Sequence, residues 1–241
     1  MQTRQTAARQ AAATIDEGLR GYMLQVYNTM ATGVGVTALV AYIISSLAIT
    51  ADRQLTPFGE ALFGGALFWV LVFSPLLLCL WLGFAARTMS TGTAAAIFYA
   101  ISGLMGVSLS TILMAYTSAS VTQVFAITAA SFGALSLWGY TTRRDLSAMG
   151  SFLLMGLFGI ILASLANIFF QSGTMSMAIS VIAVFVYAGF TAYDTQKIKE
   201  IYDPTATPEM VRKLAILGAL NLYLNAIGLF MHLVNLLGDQ K

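Results

Sequence analysis

The chain has 241 residues, of which 58% are hydrophobic and only 9% charged, and its formal net charge is +2. A soluble domain carries about a quarter charged residues, so a mean hydropathy of +0.80 excludes a water-coated globule and names the lipid bilayer as the first partner. A charge this small also argues against nucleic acid as a partner.

The chain opens on "MQTRQTAARQAAATIDEGLR", which holds Arg4, Arg9, Asp16, Glu17 and Arg20 and no apolar core. It reads as a polar N-terminal tail, residues 1–22, and not as a signal peptide. Thr14 and Glu17 form an S/T-x-x-E capping box, predicting a short helix that runs into the first span.

Crossing about 30 Å of hydrocarbon takes about 20 apolar residues in a helix. Seven runs qualify: Met23–Ile49, Ala61–Ala86, Thr91–Tyr116, Ala119–Tyr140, Met149–Phe170, Met175–Asp194 and Leu214–Leu237. They are long and continuous, unlike the alternating segments of roughly ten residues that build a barrel. The fold class is therefore all-α integral membrane, a seven-transmembrane-helix bundle. A single membrane domain spans 23–238, followed by a short tail, 239–241. Cys79 is the only cysteine, so no internal disulfide can form.

Ten of the twelve basic residues fall at the N-terminus and in every second loop after it, and only Arg53 and Lys241 fall on the other side. The positive-inside bias places the N-terminus in the cytoplasm and the C-terminus in the periplasm of a bacterial inner membrane. The connection from 195 to 213 holds Asp203-Pro204 and Thr207-Pro208. Thr207 reads as an N-cap with proline at the first helical position, so the last helix is expected to begin outside the lipid.

Ionisable residues within spans are costly and therefore informative. Asp194 ends the sixth span and Arg87 ends the second, both at the cytoplasmic boundary, where they either simply snorkel to the headgroups or pair, each offsetting the other's desolvation. In the last span Gly218, Asn221, Asn225, Gly228, His232 and Asn235 recur at helical spacing. They share an arc of about 100°. Such a stripe either lines a water-filled path or packs against other helices, and in both cases it places the last helix inside the bundle. Ser180, Tyr187, Thr191 and Asp194 form a weaker matching stripe on the sixth span. Gly103, Gly106, Gly156 and Gly159 read as close-packing points.

His232 is the only histidine, so no multi-histidine metal site exists, and no metal or cofactor is assigned. "AISG", Ala100–Gly103, differs by one residue from the G-x-S-G of rhomboid proteases, and Ser102 with His232 would then form a dyad. Four-residue matches are cheap in a membrane chain rich in serine and glycine, and no enzyme is read here.

Two longer stretches carry a resemblance. "FVYAGFTAYDTQKIKEIY", Phe185–Tyr202, resembles the signature of the Bax inhibitor-1 family, whose sixth helix ends in a similar Tyr-Asp-Thr-Gln. "ALNLYLNAIGLFMHLVNLLG", Ala219–Gly238, resembles that family's last helix. The resemblance implies a bundle wrapped around a central last helix. It also implies a calcium leak regulated by pH, with calcium only transiently bound, and suppression of cell death in eukaryotic members. It implies a switch of two aspartates with an arginine from the second helix nearby: Asp194 and Arg87 fit, but the second aspartate falls at Asn225. An amide there removes like-charge repulsion and donates a hydrogen bond instead, so Asp194 is expected to stay ionised and the pH switch to weaken. Some bacterial relatives are associated with membrane AAA proteases, which implies a second role, a regulatory subunit docked on a membrane complex through the N-terminal tail.

Overall fold

The computed structural model describes residues 17–50, 52, 54–86 and 88–241, together with the helical backbone of 2–16. Among the described residues it contains eight helices: α1 (Gln2–Ala48), α2 (Pro57–Phe63), α3 (Ala66–Ala85), α4 (Thr91–Ala115), α5 (Ser118–Thr141), α6 (Ser147–Phe170), α7 (Gly173–Ile201) and α8 (Pro208–Leu237). All but α2 are long and apolar enough to cross a membrane.

Lipid offers no hydrogen bonds to the free N–H groups of a helix start, and the sequence supplies them locally. Thr56, Ser90, Thr117, Ser172 and Thr207 each accept the backbone N–H three residues on. Thr207 is the expected cap: its Oγ1 accepts from Met210 N at 3.3 Å.

Three boundaries depart from the expected ones. The first span belongs to one continuous helix that starts at Gln2; the Thr14 half of the capping box lies outside the described residues. The second span starts at Ala66 and not at Ala61, because Gly64 and Gly65 separate a short amphipathic turn, α2, from α3. The sixth span does not end at Asp194. It continues to Ile201, where Asp203-Pro204 stops it. Thr195 and Ile198 are buried, so tertiary packing keeps the polar end helical.

The last helix is central. It packs against α1, α4, α5 and α7, whereas α3 lies along α4 and α6 along α7. In the most apolar window of α8, 61% of residues are buried, against 11% in α3 and α6. The outer helices turn Phe84, Met155 and Phe169 outward, as lipid-facing surfaces do. Gly106 packs on Thr37 and Val40, and Gly156 on Val186, as expected; Gly103 and Gly159 instead face open space. The chain end is pinned: Lys241 N donates to Ala115 O at 2.9 Å and Thr117 N to Asp239 O at 2.9 Å.

Candidate functional site

The polar stripe of α8 lies against α7 along an antiparallel seam. At the basic end of the bundle Gly218 sits on Ile198. Next, Asn225 Nδ2 donates to Asp194 Oδ2 at 2.7 Å. Gly228 then receives the ring of Tyr187. His232 Nδ1 lies 3.2 Å from Ser180 Oγ, and Asn235 Nδ2 donates to Ser176 Oγ at 3.4 Å. The two stripes therefore meet along most of their length, at Asp194, Tyr187 and Ser180 of α7.

Asn225 is buried and Asp194 partly so. Two features make this a defined pair. The amide N–H is aimed at a carboxyl oxygen, a bond that becomes charge-assisted when that carboxyl is ionised, and among the described residues every buried side-chain polar atom has a partner. The seam is thus closed and satisfied in this conformation.

Tyr187 occupies the middle of the seam. Its ring stacks on His232 with centroids 5.8 Å apart and planes 25° apart. Thr191, one turn on, is buried and donates back to Tyr187 O at 2.8 Å. At the His232 end, α6 borders the seam and leaves a cleft of about 300 Å³, lined by Ser164, Asn167, Ser176, Ser180, His232 and Asn235. Asn221 stands apart: it is exposed on α8, one turn from Asn225.

Arg87 lies outside the described residues. The helix leading to it, α3, packs along α4 and not along α7 or α8. Ser102 and His232 are not brought together. Ser102 Oγ donates to Phe98 O at 3.0 Å, and His232 faces Ser180.

The Tyr-Asp-Thr-Gln stretch does more than place one aspartate. Successive helical residues point 100° apart, so four of them face four directions. Tyr193 packs on Gly150 of α6, and Asp194 meets α8. Thr195 Oγ1 lies 2.9 Å from Ser136 Oγ of α5, which lies 2.7 Å from the Tyr27 hydroxyl of α1. Gln196 clamps the α5–α6 connection, accepting from Leu146 N at 2.8 Å and donating to Arg144 O at 2.9 Å. The sequence reading passed over the fully buried Tyr223, whose hydroxyl lies 2.7 Å from Thr37 Oγ1 and ties α8 to α1.

Outside the spans, Asp145 and Asp203 have carboxyls held below the ordinary carboxylate range. Hydrogen bonds from Ser147 and from Thr205, respectively, stabilise the charged forms.

A family model described as "Inhibitor of apoptosis-promoting Bax1" matches residues 19–241. The chain is 41% identical over 228 residues to the inner membrane protein YbhL of Escherichia coli, covering 93% of this chain and 94% of that protein. It is 40% identical over 240 residues to an uncharacterized protein of Caulobacter vibrioides, covering 99% and 96%. The whole α7–α8 seam falls within the family match.

Proposed function

The chain belongs to the Bax inhibitor-1 family and is a multi-pass inner-membrane protein, and on that premise we propose that it is a regulated ion leak, with calcium as the permeant ion. The path runs along the α7–α8 seam, and the Asp194–Asn225 pair is its latch on the cytoplasmic side. The N-terminus is cytoplasmic in this reading, in keeping with the distribution of basic residues.

The observation that carries the reading is the 2.7 Å bond from Asn225 to Asp194, set in a seam whose polar groups continue to a cleft at the opposite end. From Asn225 to Asn235 is about 15 Å along the helix, half the hydrocarbon thickness. Tyr187 seated on Gly228 separates the cleft from the latch. Parting α7 from α8 would exchange the seam's own hydrogen bonds for water and give a cation one carboxylate and several amide and hydroxyl oxygens. That set binds calcium weakly, which suits passage better than storage. The resemblance assigns Arg87 as the second charge at the latch. Because the latch has one carboxylate and one amide, it lacks the coupled titration of a carboxylate pair and titrates as a single carboxyl.

Calcium flux into liposomes containing the purified protein tests this. Flux above empty liposomes, changed by Asp194→Asn, is expected. The absence of flux at any pH would refute the leak and favour the alternative, a regulatory subunit bound to a membrane complex such as a AAA protease.

A further inference from the structure

A second feature lies away from the seam. α1 and α5 both border α8, yet they hardly pack against each other. Between them runs a groove of about 650 Å³. Met23, Met30, Phe132 and Ser136 form its buried floor, and Leu24, Ala31 and Leu137 stand exposed on its rims. The floor's polar groups are already matched, since Tyr27 bonds Ser136. Apart from Arg20 and Tyr140 at one end, the rest of the lining is apolar.

One end of this groove is cationic. Arg20 lines it and is exposed. Tyr140 lines the facing side. Its carbonyl accepts Lys199 Nζ at 2.8 Å, and that ammonium lies 5.3 Å from the ring centroid. From Arg20 to Ala31 the groove runs about 16 Å along α1, close to the half-thickness of a 30 Å hydrocarbon core. An apolar trough one leaflet deep, opening onto the lipid and headed by the Arg20 guanidinium, matches one class of molecule in shape and charge.

We propose that the α1–α5 groove binds an anionic phospholipid, one acyl chain lying in the trough and the phosphate facing Arg20. The bound lipid fills the space between two helices that both border the central helix. It thereby couples the anionic content of the membrane to the packing of α1 and α5 around α8.

Gly133 gives a clean test. It lines the groove, and a Cβ added there meets nothing within 4 Å. Gly133→Leu fills the trough while improving helix propensity. The delipidated protein in detergent is titrated with phosphatidylglycerol or phosphatidylethanolamine of the same chain length, and adducts are counted by native mass spectrometry. The wild type is expected to take up one phosphatidylglycerol, preferred over phosphatidylethanolamine by about fivefold, the attraction one basic residue supplies near an anionic surface. Gly133→Leu should lose both lipids, and Arg20→Gln should lose the preference alone. Undiminished binding in Gly133→Leu, or equal affinity for the two lipids in the wild type, overturns the proposal. So does a dimer that Gly133→Leu dissociates, since a second copy of the chain would then occupy the groove.

Discussion

Asn225 of α8 donates to the carboxylate of Asp194 on α7 across 2.7 Å, and no second carboxylate stands in that place. The bond sits where two helices have exchanged apolar packing for polar contact, so its removal leaves a partly buried charge without its donor. That asymmetry makes the pair testable by stability alone, before any transport is measured.

Asn225→Asp would set two carboxyls face to face. They cannot both ionise cheaply in a low-dielectric seam and would share a proton. The shared proton holds the seam at low pH and is lost as pH rises, so the variant's melting temperature in detergent should fall between about pH 5 and about pH 8. The wild type has no such repulsion and should give a flatter curve. Superimposable curves would mean that residues 194 and 225 do not face each other. As a companion, Asn225→Leu should cost about 1–2 kcal/mol by stranding the carboxylate, and adding Asp194→Leu should recover part of that loss.

Seven apolar runs and a ten-to-two charge bias are whole-chain signals, and the seven spanning helices followed from the first of them. The α8 stripe was equally legible, because six residues at spacings of three and four leave only one face. What faced it was harder to read. Helical periodicity places Asn225 on a face but does not name the neighbour, and the matching α7 stripe gave that only because Ser180 and Asp194 are polar in an apolar helix. Asp194 itself misled as a boundary. Hydropathy falls at Thr195, yet Thr195 is buried and its hydroxyl lies against Ser136, so long-range packing carries the helix two turns further. The break at Gly64–Gly65 was missed because both glycines lie inside an apolar run, and Tyr223–Thr37 joins residues 186 positions apart, beyond any local pattern.

Tyr187 rests against Gly228 and stacks on His232, which makes it the plug of the proposed path. Tyr187→Ala should open the seam between the outer cleft and the latch. Calcium flux in liposomes is expected to rise severalfold, while stability falls by about 3 kcal/mol from the lost aromatic packing. Gly228→Val should act in the same direction, since a side chain there collides with the ring. Loss of stability without a rise in flux would make Tyr187 a packing residue only.

The α7–α8 connection carries a pH dependence of its own, outside the membrane. Asp203 Oδ1 accepts from Thr205 Oγ1 at 2.6 Å and from Thr205 N at 2.8 Å, and these bonds hold its carboxyl below the ordinary range. A carboxyl lowered by folding stabilises the folded state above its ordinary pKa of about 4, and that contribution is lost as pH falls through the lowered value. Protection of the Thr205 amide in hydrogen exchange should therefore persist at neutral pH and fade below about pH 4. Asp203→Ala should expose that amide at every pH, without altering the Asp194–Asn225 pair. An amide equally protected in the variant would show that backbone geometry, and not the carboxylate, closes this turn.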